Sequence, residues 1–484
     1  MSITATFSAP SGILSLSGDG SANDVEFERN AAGRIFVNNG AVPIQGATPT
    51  IANTTLIQAF GLGGRDTFAL DETNGELPSA HLDGGAGNDT ISGGSGDDTL
   101  LGGSGNDDVE GEKGDDVALL GSGNDTFGWD PGDGSDVIEG QAGTDTLDFT
   151  GASVNETIDI SANGGRTRFF RDVASVDMDL NDVEHIEFAA LGGADRVRIK
   201  DLSGTDTTKI SIDLGNAGGN PDGQADSVSV KGTAGSNVIT IVEAGDHATV
   251  TGLQARVEVQ NADAGLDALE VRAGNGNDIL DATDVDKAMQ LRLFGERGDD
   301  IYGIANASDR VIEAANQGTD TVKASVSYSL SSNVENLTLR GTGDINGTGN
   351  TLENTIQGNS GDNDLTGGRG GDVLRGGAGA DTFVFKALAD STVAPAGRDV
   401  IEDFRHAHND RLDFHTIDAD TGSGGNQAFD FVGDDAFSGQ AGELQAKFVG
   451  ANTLVSGDVN GNGLADFAVL LQGHVTLQQG DFVL

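Results

Sequence analysis

The chain has 484 residues, 77 acidic against 27 basic, and a formal net charge of -50. That excess repels nucleic acid and anionic lipid, so neither is expected as a partner, and no run of 18 apolar residues is present to insert into a membrane. Cysteine is absent and the 75 glycines keep no three-residue period, which excludes disulfide staples, thiolate metal sites and collagen.

In chain order, the first twenty residues, MSITATFSAPSGILSLSGDG, hold no basic stretch followed by a long apolar one, so export by an N-terminal signal peptide is not expected. Residues 1–83 are read as a β-rich region with one isolated Gly-Asp repeat, GLGGRDTF, at 61–68. From Gly84 five nonamers run in unbroken register: GGAGNDTIS, GGSGDDTLL, GGSGNDDVE, GEKGDDVAL and LGSGNDTFG. Two weaker units, PGDGSDVIE and GQAGTDTLD, complete a first block at 84–148. Residues 149–348 alternate β-branched and polar residues in segments such as TKISIDL (208–214), DSVSVKG (226–232) and ARVEVQ (255–260), separated by Gly, Asn and Asp. These are strand-and-turn signals. Isolated repeats at 191–197, 273–280 and 295–302 have no adjacent copy. A second block at 349–384 reads GNTLENTIQ, GNSGDNDLT, GGRGGDVLR and GGAGADTFV, and 385–484 form an end region richer in phenylalanine and histidine. The pattern predicts an all-β chain: an elongated β-solenoid, or parallel β-roll, with a β-rich C-terminal cap.

The nonamer GGxGxDxUx divides into a loop and a short strand. Glycine is needed in the loop because the backbone visits φ > 0 and neighbouring turns approach closely. The loop turns carbonyls inward, and the aspartate at position six adds a carboxylate. Calcium takes six to eight oxygen ligands in flexible geometry, which this set can supply. The expected ligands are Asp89, Asp98, Asp107, Asp116, Asp125, Asp136 and Asp145 in the first block and Asp372 and Asp381 in the second. Loop glycines accompany them: Gly85, Gly87, Gly94, Gly96, Gly103, Gly105, Gly368, Gly370, Gly377 and Gly379. Asn354 and Asn363 stand at position six with a charge lost. Position eight is apolar (Ile91, Leu100, Val109, Phe127, Leu147) and is expected to face the interior. Two repeats should make one turn of the coil, with calcium between neighbouring turns on one side. The five strong repeats then give about three ions and the second block about two. A flexible acidic linker would not keep aspartate and an apolar residue in fixed register.

These repeats resemble the RTX (repeats-in-toxin) family of Gram-negative bacteria. Residues 372–484 further resemble the C-terminal region of serralysin-type metalloproteases. The carrying segments are GGAGADTFVF (376–385), RDVIEDF (398–404), DRLDF (410–414), NQAFDFVG (426–433), GELQ (442–445), DVNGNGLADFAVLL (458–471) and the terminal GDFVL. The resemblance implies a β-roll followed by an uncleaved signal for the type I secretion machinery. It also implies a chain that stays open in the cytosol and folds outside on meeting calcium at about 10⁻⁴–10⁻³ M.

The protease itself is not expected, because none of the seven histidines lies in HExxH. No GxSxG elbow or P-loop occurs. His406, His408 and His415 are close in sequence, but the family region they fall in is structural. Asp420-Thr421-Gly422-Ser423 copies the aspartic-protease triplet in a Gly-rich loop and reads as a turn. Asp458 to Asp466 echo the start of an EF-hand loop, with Val469 where that loop needs a Glu, and read alternatively as a tight polar hairpin. Arg166, Arg168 and Arg171 with Asp172, Asp177 and Asp179 could suit a polysaccharide lyase or epimerase, though solenoids expose charge everywhere. The expectation is a non-enzymatic, secreted structural protein of the cell surface, biofilm matrix or surface layer, self-associating through calcium. The alternatives are a polysaccharide-active enzyme or an adhesin for cell-surface polysaccharide, the latter poorly served by one tryptophan (Trp129) and two tyrosines (Tyr302, Tyr328).

Overall fold

Alternation of apolar and polar residues gives strands with one buried face. Ile13–Ser17 buries Leu14 and Leu16, and Thr146–Thr150 buries Leu147 and Phe149. The structure, a computed structural model, describes residues 3–285 and 289–484. Apart from strands, the described residues hold only short 3-10 turns as regular structure. They form two compact units, the first principally Met1–Gly232 with Glu243–Glu270, the second principally Thr233–Val242 and Leu291–Leu484 with the strands between 271 and 284.

In the first unit, Thr90–Ser95, Asp108–Lys113, Thr126–Trp129 and Thr146–Thr150 pair in parallel, with Asp108 opposite Thr90 and Thr126. Ala80–Ala86, Thr99–Ser104, Val117–Gly123 and Val137–Gly143 make a second parallel sheet, with Thr99 opposite His81 and Val117. One coil therefore takes 18 residues, two nonamers, as the repeat predicts. The parallel arrangement is that of a β-roll. The position-eight residues stack into columns, Leu82–Leu100–Ala118–Ile138 and Ile91–Val109–Phe127–Leu147, each at most 1% exposed. Each large apolar side chain so buried contributes about 1.5–3 kcal/mol. An antiparallel excursion, Thr157–Asn163, Arg166–Arg171 and Val176–Asn181, lengthens one coil. Val176–Asn181 and His185–Leu191 then resume parallel pairing on Val137–Gly143 and Thr146–Thr150.

In the second unit, Ile279–Asp284, Ile301–Ile304, Thr321–Ala324, Asn336–Leu339, Thr355–Gln357, Val373–Arg375 and Val400–Ile401 stack in parallel. Tyr328–Ser329, Gly347–Thr348, Asp364–Thr366, Thr382–Val384, Arg411–Asp413 and Phe482–Val483 form the companion sheet. Antiparallel strands Glu443–Val449, Asn452–Asp458 and Phe467–Leu471 finish it, over a ring cluster of Phe414, Phe429 and Phe467.

The boundaries drawn after residues 83 and 148 fall inside Ala80–Ala86 and Thr146–Thr150. Those drawn after 348 and 384 fall between strands that go on pairing in the same sheet. Composition changes there, but the coil does not, because backbone pairing needs only the alternation and not the calcium loop.

Candidate metal centres

Each position-six aspartate is held by the coil that precedes it. Asp107 Oδ1 accepts the Asp89 backbone N–H at 2.8 Å, Asp125 Oδ1 that of Asp107 at 2.8 Å, and Asp145 Oδ1 that of Asp125 at 2.9 Å. On the other side Asp98 Oδ1 accepts from Ala80 at 2.6 Å, Asp116 Oδ1 from Asp98 at 2.7 Å, and Asp136 Oδ1 from Asp116 at 2.9 Å. The second oxygen of every one of these side chains, and of Asp89, Asp372 and Asp381, is buried with no protein partner.

The first glycine of the repeat explains where that oxygen sits. A Cβ on Gly84, Gly93 or Gly102 would lie 2.5, 2.6 or 2.6 Å from Oδ2 of Asp89, Asp98 or Asp107. The carbonyl oxygens of Gly102, Gly111 and Leu120, one coil on, stand 2.7, 2.6 and 2.3 Å from the same points. A carboxylate and a carbonyl thus converge on the space the missing Cβ leaves. Glycines at positions two and four carry the turn at positive φ: +95° and +142° at Gly85 and Gly87, +104° and +135° at Gly94 and Gly96. A Cβ on Gly103 or Gly105 would lie 2.1 Å from Gly85 O or 1.6 Å from Gly87 O. In the second block the same stacking sets Gly368, Gly370, Gly377 and Gly379 over the carbonyls of Asn350, Leu352, Asn359 and Gly361. The loop edges are therefore lined with oxygen.

Burial is the first cause of raised pKa values along these lines. It pushes Asp98, Asp136, Asp145, Asp372 and Asp381 up to about 7 and Asp116 to about 8. Among the described residues no Lys or Arg pairs with any of them. Unpaired buried carboxylates beside carbonyls fit a hard divalent cation that takes oxygen ligands. The two asparagine positions fit the same logic in reverse. Asn354 Nδ2 donates to Val334 O at 3.1 Å and Glu335 O at 3.2 Å, and Asn363 Nδ2 to Ile345 O at 2.6 Å. There the amide protons do what a cation would otherwise do.

The ladders reach beyond the repeats. Asp66 N–H donates to Asp89 Oδ1 at 2.7 Å, so the isolated copy at 61–68 does have a neighbour. Asp195 N–H donates to Asp226 Oδ1 at 2.7 Å and Asp226 N–H to Asp267 Oδ1 at 2.9 Å. In the second unit the line runs Asp278, Asp300, Asp320, at 2.7 and 2.9 Å. Asp372 and Asp381 donate to Asp399 and Asp410 at 3.0 and 3.2 Å. Oδ2 of Asp66, Asp195, Asp278, Asp300 and Asp399 is again buried and unpartnered. The signal for these residues was an aspartate two places before an inward apolar residue, as in Asp66-Thr67-Phe68 and Asp226-Ser227-Val228. Excursions that stretch the coil from 18 to as many as 41 residues hide it as a repeat.

The other sequence candidates have local partners. His406 Nδ1 lies 2.8 Å from Asp481 Oδ1, and His415 Nδ1 lies 2.6 Å from Asp413 Oδ1, so the trio with His408 does not share a centre. Asp420 closes an exposed turn through Gly422 N–H and the Ser423 hydroxyl. Asp458 accepts N–H groups of Asn460, Gly461 and Gly463, and Asp466 that of Val459, which makes the segment a tight polar hairpin. Arg166 pairs with Glu139 and Asp179 at 2.7 Å, Arg168 with Asp177 at 2.7 Å, and Arg171 with the buried Glu156; Asp172 accepts Thr157 N–H. Trp129, Tyr302 and Tyr328 are all buried.

Residues 276–484 match the family model described as Peptidase M10 serralysin C terminal, and residues 81–109, 93–127 and 132–151 match the RTX calcium-binding nonapeptide repeat. The chain is a secreted, calcium-binding protein built on RTX repeats. Its serralysin-type end is of the kind exported by type I secretion. The chain is 41% identical over 73 residues to Endo-1,3-1,4-beta-glycanase ExsH of Rhizobium meliloti (strain 1021), 15% of this chain and 16% of that protein. It is 42% identical over 83 residues to Endo-1,3-1,4-beta-glycanase EglC of the same organism, 17% of each. The match thus spans about a sixth of those relatives' length. Among solved structures, the R3 subunit of the mannuronan C5-epimerase AlgE6 from Azotobacter vinelandii aligns at 26% identity and TM-score 0.23, over 32% of this chain and 80% of that one. The extracellular lipase LipA from Serratia marcescens aligns at 13% identity and TM-score 0.16, over 72% and 45%.

Proposed function

We propose that this RTX protein is a structural component of the cell surface or extracellular matrix, exported as an open chain, consolidated by calcium outside the cell and bridged by calcium to its own copies. The observation that carries this is the line of buried, unpartnered Oδ2 atoms at Asp89, Asp107, Asp125 and Asp145 and at Asp98, Asp116 and Asp136. Bound calcium would supply there the positive charge that these oxygens lack and would accept them as ligands. The chain's own residues do the rest. Backbone N–H groups fix Oδ1, position-one glycines leave room beside Oδ2, and stacked carbonyls line the edge. At a net charge of -50 the ion-free chain repels itself and stays threadable. An acidic surface depression lined by Glu110, Glu112, Asp130, Asp133 and Asp148 offers carboxylates for bridging between molecules.

A glycan-active role is the other reading, drawn from the names of the two relatives. The engaged arginines and buried aromatics described above favour the structural one. Circular dichroism in EDTA and then in calcium, with electron microscopy of the loaded protein, tests it. At pH 8, a β spectrum that is weak in EDTA and grows to its full strength with calcium, and sheets or filaments on the grid, are expected. An unchanged β spectrum in EDTA, or hydrolysis of a β-1,3-1,4-glucan by the monomer, would overturn it.

A further inference from the structure

One cluster of carboxylates differs in make-up from the repeat loops. Asp300, Glu313 and Asp320 are buried, and one carboxylate oxygen from each lies within 4.8 Å of the others. Asp300 and Asp320 precede strands Ile301–Ile304 and Thr321–Ala324, whereas Glu313 follows the short strand Arg310–Val311 and stands at no repeat position. Backbone groups fix one oxygen of each. Asp300 Oδ1 accepts Asp278 N–H at 2.7 Å, and Asp320 Oδ1 accepts Asp300 N–H at 2.9 Å. Glu313 Oε1 accepts Gly295 N–H at 3.1 Å and the Tyr302 hydroxyl. Asp300 Oδ2 and Glu313 Oε2 remain buried with no protein partner, although their side chains are 0% and 7% exposed. Gly295 keeps the space open: a Cβ there would lie 2.0 Å from Asp300 Oδ2 and 2.4 Å from the Tyr302 hydroxyl oxygen.

Either a proton or a cation fills such a place. A single proton tying Glu313 to Asp300 still leaves two negative charges in the interior, and no Lys or Arg among the described residues pairs with the three. A divalent cation neutralises two charges and takes both unpartnered oxygens. With only oxygen donors and no histidine or cysteine, the set suits a hard ion of calcium's kind. Glu313 also lines a surface depression with Arg272, Phe294 and Glu296. We propose that Glu313, from outside any repeat, joins Asp300 and Asp320 in binding a calcium ion at this coil, with the Tyr302 hydroxyl beside it.

The test uses the full chain dialysed to equilibrium against a fixed concentration of free calcium as the only divalent ion. Metal analysis of Glu313→Gln should give about one calcium ion per chain fewer than the unmodified protein, the repeat-bound ions being retained. Terbium loaded in place of calcium gives a second reading, because a tyrosine beside the ion transfers excitation to it. Terbium emission sensitised by aromatic excitation should fall in Tyr302→Phe and in Glu313→Gln, with Trp129 and Tyr328 accounting for what persists. An unchanged calcium count in folded Glu313→Gln overturns the proposal and leaves a protonated glutamic acid as the occupant. Should that variant fail to fold, unchanged emission in Tyr302→Phe overturns it equally.

Discussion

Asp98→Asn should act in opposite directions with and without calcium. In the folded chain Asp98 Oδ1 accepts the Ala80 N–H at 2.6 Å while Oδ2 is buried without a partner. Burial, followed by repulsion from Glu72 and Asp97, lifts its pKa from 3.8 to about 7. Because the folded value is the higher one, the folded state holds the extra proton. The favourable contribution is complete below about pH 4 and is lost as pH rises through about 7. At 1.36 kcal/mol per unit, the ionised side chain costs the ion-free protein about 4 kcal/mol above that range. Asparagine keeps the acceptor and removes the charge. In EDTA, then, the unmodified protein should be folded near pH 5 and unfold toward pH 8, and Asp98→Asn should move that midpoint upward. In calcium the same substitution should lower the unfolding midpoint, because a cation loses a charged ligand. Circular dichroism and the fluorescence of Trp129, the single tryptophan and only 2% exposed, follow both transitions. Equal destabilisation in EDTA and in calcium, or a midpoint in EDTA that ignores pH, would refute the reasoning.

Other substitutions probe neighbouring links. Gly102→Ala places a methyl 2.3 Å from Leu120 O and 2.6 Å from Asp107 Oδ2, and should cost about 1–3 kcal/mol in denaturant titration while weakening calcium uptake at that coil. Asn363→Asp removes the amide that donates to Ile345 O at 2.6 Å; calorimetry should show added calcium uptake, and the melting temperature in EDTA at pH 8 should fall. Glu156→Gln strips a partner from Arg171, whose guanidinium lies 5.2 Å from the centroid of the Trp129 ring; a loss of about 3–5 kcal/mol is expected, with a shifted tryptophan spectrum.

The coil was legible wherever the chain repeats itself. The 18-residue turn, the inward column of Ile91, Val109, Phe127 and Leu147, and the paired lines of aspartates all follow from the nonamer register. What escaped was the continuation. Asp226, Asp267 and Asp320 sit on the same lines as Asp195 and Asp300, but the excursions between them destroy any fixed period. The three strands at 157–181 illustrate why. They pair antiparallel with one another and stand between Val137–Gly143 and Arg196–Ile199 in one sheet, while in the other only His185–Leu191 separates Thr146–Thr150 from Lys209–Asn216, so length in sequence no longer measures distance along the coil. The Glu313 cluster was invisible for a related reason, since its third carboxylate comes from outside any repeat.

The asparagines at 354 and 363 give the molecule a place to begin. Their amides satisfy the neighbouring carbonyls without an ion, so the coils from Asn336–Leu339 to Val373–Arg375 carry less electrostatic penalty than the aspartate coils of the first unit. A stack whose stability is a sum of nearest-neighbour terms grows outward from its least penalised segment. This stretch is therefore a seed that can order while calcium is still scarce and present a finished edge to Asp372 and Asp381. Amide hydrogen exchange in EDTA should find its slowest protons there, and replacing both asparagines with aspartate should erase that protected island.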